Sequence, residues 1–359
     1  MDGKLSGRLP DENRFSGRNP DYYGDVKTAT PAMARAINDR LALDLLLERG
    51  PLTAPQLREL TGLSRPTVSD LIDRLKDGGL IEEAGEYGEV RRGPNARLYA
   101  LVAGRAHVAG VDLRRTAINV TVADITGREV GSAVREVSGD LAVLVEDAVT
   151  EAAAGRPLDN VVMGAPGLVK PMDGELAVAN DVPGWRPGLV SAVRERLGVP
   201  VILENEVNLA AVAELRTGAA VGCDDFVLLW LDDGIGAAVV LGGRLRRGAS
   251  GGAGEIGFLE VEGEPLCVLL QDGTGREEWV RRVAKGAFAF VTLLDPGLVV
   301  LGGAMGQEGG DELAERVAAR LGALSPAPTE VRATRVESNA VLQGAVLTAL
   351  DTARDHVFG

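Results

Sequence analysis

The pattern of apolar residues changes character once along this 359-residue chain, near Ala103-Gly104. Before that point the period is that of short helices separated by tight turns. After it, brief apolar runs alternate with helical stretches. One layered core cannot satisfy both patterns, so the chain reads as a small helical head on a larger α/β body, with a polar tail in front. The expected division is 1–30 for the tail, 31–103 for the head and 104–359 for the body.

In the head, residues 34 to 49 carry a helical pattern that places Ile37, Leu41 and Leu45 on one face, and Gly50-Pro51 stops it. Thr53 opens a second helix, with Gln56 three residues on completing a capping box. Leu57 and Leu60 are expected to face inward, and Gly62 makes the turn. Ser64 caps a third helix with Pro66 in its first turn, where a missing N–H costs nothing. Val68, Leu71, Ile72 and Leu75 form its buried stripe. Gly78-Gly79 ends it, and two short strands follow, around 80–83 and 97–102, joined by a Gly-rich loop.

Three helices with a tight turn between the second and third, then a two-stranded wing, describe a winged helix-turn-helix. The buried stripe leaves Ser64, Arg65, Thr67, Ser69, Asp70 and Arg74 outward, at the end of the helix that enters the major groove in this geometry. The wing carries Arg91, Arg92 and Arg97 around Gly93-Pro94, suited to phosphate or minor-groove contact. The candidate DNA-binding set is Ser64, Arg65, Thr67, Ser69, Arg74, Arg91 and Arg92. Such a unit also serves as a protein-interaction module. The pattern Thr-Ala-x-x-Leu-x-x-Leu-Thr-Gly-Leu-Ser-x-x-Thr-Val-Ser from Thr53 favours the DNA-binding version.

A net charge of −14 argues against nucleic acid only until it is divided. Residues 1–103 hold 15 Lys/Arg against 16 Asp/Glu, while the remainder holds 23 against 36. The head is near neutral with a local basic cluster, and the acidity belongs to the body. No apolar run approaches the ~20 residues needed to span a bilayer. The first 30 residues, with Lys4, Arg8, Asp11, Glu12, Arg14 and Arg18, contain no secretory apolar core, so a cytoplasmic location and no membrane partner are expected. Cys223 and Cys267 stand far apart and the histidines are only His107 and His356, which fits neither a disulfide framework nor a structural zinc site.

In the body, strands are expected at 107–111, 118–124, 160–163, 201–204, 226–231, 237–241 and 298–301. Helices are expected at 141–154, 189–197, 208–215, 279–294 and 313–321. No tandem repeat of 20–50 residues is evident. Val108-Ala-Gly-Val-Asp112-x-x-x-Thr116, Gly164-Ala-Pro-Gly167 and Asn180-x-x-Pro-Gly-Trp185 are followed by Glu204-Asn205-Glu206-Val-Asn208 and Asp233-Gly234-Ile-Gly236. Gly251-x-Ala-Gly-Glu255 and Asp295-Pro-x-x-Val-Val-Leu-Gly-Gly303 complete an ordered series. Together these resemble the ROK family of repressors and sugar kinases over roughly residues 34–350. The resemblance implies an actin-like, ribonuclease H-like two-lobed sugar-kinase fold with a ligand between the lobes. It also implies a homodimer or homotetramer on operator DNA. Gly167, Asn180, Asn205, Glu206 and Glu255 match family positions at the sugar.

The departures from that family concern phosphate. Its kinases carry glycines after the first Asp; here stand Arg114 and Arg115, whose side chains block close backbone approach and yet are able to bind phosphate. Its second phosphate motif is Gly-Thr-Gly; here Asp232-Asp233-Gly234 puts carboxylates where phosphate oxygens belong. The catalytic Asp is Glu206, one methylene longer, so no catalytic residue is assigned. Phe258 replaces the zinc-binding His, leaving no metal and no cofactor expected. The expected function is a sequence-specific regulator, a repressor, answering to a sugar or phosphosugar. The alternatives are a ligand-blind regulator whose body only dimerises, and an active ATP-dependent sugar kinase.

Overall fold

The computed structural model describes residues 30–87, 96–171, 174–176, 182–271 and 273–359. Helix α1 (Pro31–Arg49) starts on Thr30, whose Oγ1 accepts the Met33 amide. A short strand β1 (Leu52–Thr53) leads into α2 (Ala54–Thr61), and the Thr53–Gln56 capping box closes in both directions. Gly62 takes the left-handed conformation that turns the chain towards α3 (Arg65–Asp77), capped by Ser64. Strands β2 (Ile81–Tyr87) and β3 (Ala96–Leu101) form the wing, and β1 joins β3 to make an antiparallel sheet of order β1-β3-β2. That third strand, two residues long, has no periodicity to show in sequence.

Val68, Leu71, Ile72 and Leu75 are all inside, as their spacing requires. The α1 face is rotated from the expected one. Ala42, Leu43 and Leu46 are buried, while Ile37 and Leu41 are 59% and 40% exposed, because α1 extends past the elements that cover it. Leu60 likewise faces out, since the eight-residue α2 turns Ala54 and Leu57 to the core.

The body holds two sheets of the same design. In the first, β4 (His107–Leu113), β5 (Ala117–Asp124) and β6 (Glu129–Glu136) meander, followed by α4 (Leu141–Ala153) and β7 (Asn160–Ala165). Then come α5 (Leu189–Leu197) and β8 (Val201–Asn205), giving the order β6-β5-β4-β7-β8. Helix α6 (Glu206–Thr217) crosses to the second sheet, which begins with β9 (Phe226–Leu231), β10 (Ile235–Leu241) and β11 (Arg244–Arg246). A small hairpin, β12 (Glu260–Val261) and β13 (Glu264–Pro265), precedes α7 (Leu266–Leu269) and α8 (Arg276–Leu294). Strand β14 (Leu298–Gly302), α9 (Gly303–Leu324) and β15 (Glu330–Ala333) complete the order β11-β10-β9-β14-β15. In each sheet the first three strands are antiparallel and the last two add in parallel. The duplication is one of topology over more than a hundred residues, so a search at 20–50 residues misses it.

Helices α4 and α5 cover the outer face of the first sheet, and α8 and α9 that of the second. Between the sheets lie α6 and the last helix, α10 (Ala340–Phe358), in a shared core with Val108, Val162, Phe226 and Leu228. This is the expected two-lobed arrangement. Their crossing depends on Gly344, where a Cβ would sit 1.8 Å from the Leu209 carbonyl oxygen. The expected alternation of strands and helices does not include β6, β11, the β12–β13 hairpin, α7, β15 or α10. Strand β6 lies at a sheet edge with few buried positions, and α10 is apolar on more than one side because two sheets enclose it.

Candidate DNA-reading head and effector cleft

On the head, Ser64, Arg65 and Ser69 are exposed at the start of α3, and Thr67 is half-buried against the Ser64 hydroxyl at 2.8 Å. Arg91 and Arg92 lie outside the described residues. Arg74 does not reach outward as a free cation. Its guanidinium grips Asp39 of α1 through Nη2 at 2.6 Å and Nε at 3.3 Å, so it ties α3 to α1. Arg97 similarly shares Glu83 with Lys76, at 3.0 and 2.6 Å. Helical spacing sets which side of a helix a residue occupies, and the fold sets which acidic neighbour it meets there.

The cleft opens where the carboxyl ends of β4, β7 and β9 meet the start of α6. Arg115, Gly167, Asn205, Glu206, Gly236 and Glu255 are among the residues lining a cavity of about 250 Å³. Four of the five expected sugar-side residues therefore converge, and the fifth, Asn180, lies outside the described residues. Asn205 is less free than its type implies. Its Oδ1 accepts the Val207 and Asn208 amides as the cap of α6, and its Nδ2 donates to the Gly167 carbonyl at 2.9 Å. One Nδ2 hydrogen remains for a ligand. Glu204, beneath it, accepts from Asn208 Nδ2 at 2.9 Å and from Arg247 Nε at 2.6 Å. Burial raises the Glu255 carboxyl above its ordinary range.

At the other end of the cleft the chain's own charges close on one another. Asp112, fully buried, accepts Arg114 Nε at 2.8 Å and Asn339 Nδ2 at 2.6 Å on the same oxygen. Arg114 Nη1 lies 3.9 Å from Asp232 of the second lobe. Asp232 in turn accepts the Ala304 amide at 3.3 Å, capping the first turn of α9. A carboxylate thus occupies the positive helix end to which a phosphate is drawn. Burial pushes Glu206 up to about 7; nearby Arg114 works against this, and Asp112 and Asp232 work with it. Asn339 was not singled out from sequence, for it belongs to no motif and reaches the cleft only because α10 ends there.

With this geometry in view, comparison with known proteins is specific. Residues 108–269 match the ROK family, and residues 38–92 the MarR family. The ROK match falls within the body, and the MarR match within the head. The chain is 27% identical over 251 residues to the xylose repressor of Bacillus subtilis (strain 168), covering 67% of this chain and 64% of that protein. It is 25% identical over 248 residues to the DNA-binding transcriptional dual regulator NagC of Escherichia coli (strain K12), covering 67% and 61%. The chain therefore spans slightly under two thirds of these relatives. Among solved structures, a ROK hexokinase from Thermus thermophilus superposes with a TM-score of 0.61 at 28% identity, covering 69% of this chain and 99% of that one. A ROK family transcriptional regulator, a homologue of the Escherichia coli MLC protein, superposes with a TM-score of 0.69 at 18% identity. It covers 90% of this chain and 98% of that one, so the fold is shared with the winged head included. Among the described residues, no group of His, Cys, Asp and Glu is placed to hold a metal ion, and no helix is long and apolar enough to cross a membrane.

Proposed function

We propose that this chain is a DNA-binding transcriptional repressor whose ROK domain binds a monosaccharide or its derivative and performs no phosphoryl transfer. The observation that carries this reading is the self-filled phosphate end of the cleft. Asp232 sits on the N-terminus of α9 with Arg114 between it and Asp112, behind a winged head. An incoming polyphosphate would meet Asp232 and Asp233 as like charges, and several kcal/mol of repulsion per contact at intermediate dielectric outweighs what Arg114 offers while it is engaged. The xylose repressor and the transcriptional dual regulator among its relatives support the same reading.

The hydroxyl-facing side keeps its groups. Glu206 and Glu255 have raised carboxyl pKa values, so they pair with hydroxyls as donor or acceptor, and Asn205 adds one amide hydrogen. A cavity of about 250 Å³ lies just below the roughly 300–1,000 Å³ of drug-sized ligand sites, a scale suited to one sugar ring. On DNA, Ser64, Arg65, Thr67 and Ser69 approach base edges while Arg91 and Arg92 hold the backbone. One recognition helix reads few bases, so the assembly is a dimer or a dimer of dimers on a pseudo-palindromic operator, working in the cytoplasm. The head is residues 31–103 and the body 104–359.

The test is calorimetry with ATP–Mg²⁺ and with a panel of hexoses, pentoses and their phosphates, alongside operator release. Binding of a sugar with loss of operator affinity, and silence with ATP–Mg²⁺, is the expected result. Micromolar ATP binding would remove the non-catalytic reading. Silence from every sugar and phosphosugar would leave a regulator whose body only assembles.

A further inference from the structure

Two consecutive residues of α1 hold two different partners. Asp39 takes the guanidinium of Arg74 on the recognition helix in a two-point pair. Arg40, next to it, pairs through Nε with Asp44 one turn on at 3.1 Å, donates through Nη1 to Asp355 on the last turns of α10 at 3.0 Å, and lies 5.5 Å over the Phe358 ring. Phe358 is itself 6% exposed and belongs to the core of the head, with Leu43, Leu46, Leu71 and Ile125. The body therefore supplies part of the core on which the recognition helix rests. Arg354, one turn earlier, donates twice to the Ile125 carbonyl, at 2.9 and 3.1 Å, fixing the β5–β6 turn to the same junction.

The other end of α10 is in the cleft. Its cap, Asn339, bonds Asp112, which holds Arg114 beside Glu206. Nineteen helical residues rise about 28 Å at about 1.5 Å each, and Gly344 pins the helix against α6 with no room for a methyl group. A rigid element so held moves as a unit, and it ends in side chains bonded to both sites.

We propose that α10 and the Asp39–Arg40 pair directly connect the cleft to the recognition helix, so that a change at Asp112, Arg114 or Glu206 resets where α3 stands. Asp39 and Arg40 are then positioning residues for DNA recognition and touch no DNA. The proposal rests on the reading of the head as DNA-binding. Because coupling between two sites is reciprocal, it is testable without knowing the effector: DNA on the head must alter the cleft.

The experiment selects an operator from random-sequence DNA with the full-length protein, then follows amide hydrogen exchange with and without that DNA. The reporters are the Leu342 and Gln343 amides, which bond to Asn339. In the wild type, saturating operator is expected to change their exchange at least threefold. In Arg40→Ala with Asp355→Ala, operator still binds, within about tenfold, and the cleft response is lost. Arg40→Lys, which keeps a cation opposite both Asp44 and Asp355, retains it, which a general loss of folding would not allow. Asp39→Asn is expected to reduce discrimination between operator and scrambled DNA five- to twentyfold. Failure to enrich any sequence overturns the DNA-binding reading and this proposal with it. Enrichment without a cleft response, or a full response in the alanine variant, overturns the connection alone.

Discussion

Glu206→Gln isolates the most perturbed charge in the cleft. In the folded protein this carboxyl is pushed up to about 7 from an ordinary value of 4.5, burial being the largest cause. Each tenfold change in proton affinity is worth about 1.4 kcal/mol, so the whole displacement corresponds to about 3 kcal/mol. The folded state holds this proton more tightly than the unfolded chain does. The resulting stabilisation is fully present below about pH 4.5 and is lost as pH rises through about 7. A glutamine stays neutral throughout. Glu206 also opens α6, where a negative charge gains about 0.5 kcal/mol from the helix end. The variant should therefore match the wild type near pH 4.5 and exceed its stability by about 2–3 kcal/mol at pH 8. Urea unfolding followed by tryptophan fluorescence at a series of pH values measures the difference, and subtracting wild type from variant cancels the other carboxylates. A difference that does not change with pH would refute the argument, because it would mean that Glu206 is not held protonated by its surroundings.

Further outcomes follow from the same structure. Gly344→Ala drives α10 off α6 and should cost about 2–3 kcal/mol; a melting temperature within a degree of wild type would show that the two helices yield. Thr53→Ala removes the hydroxyl that accepts the Gln56 amide, leaving the backbone half of the capping box, and should cost about 1 kcal/mol in urea unfolding, localised to the head. Arg65→Ala should lose about tenfold in operator discrimination by fluorescence anisotropy, with its salt slope nearly kept. Arg91→Ala with Arg92→Ala should weaken binding to all DNA and reduce the salt slope by about two; an unchanged slope would remove the wing from the phosphate contacts.

Much of this protein is legible before any tertiary structure is known. The caps Thr53 and Ser64, the turn at Gly62 and the stripe Val68, Leu71, Ile72 and Leu75 are local interactions, and each stands where its spacing puts it. The ordered motifs of the body are equally local, since glycine turns and strand ends at a cleft demand particular residues at particular offsets. What the sequence left open depends on contacts far apart in the chain. Arg74 has the look of an unpaired cation until Asp39, 35 residues earlier, is seen to hold it. Asn205 has the look of a free sugar ligand until Gly167 and its own helix take most of its hydrogen bonds. The largest omission, α10, reaches both sites because two sheets close around it, joining Asn339 to Asp112 across 227 positions and placing Phe358 in the core of the head. Backbone propensity and periodicity act over a few residues, so they set the elements. Which side chains stay free to meet DNA or ligand is settled by long-range packing, because a charged group's availability depends on whichever opposite charge the fold brings beside it.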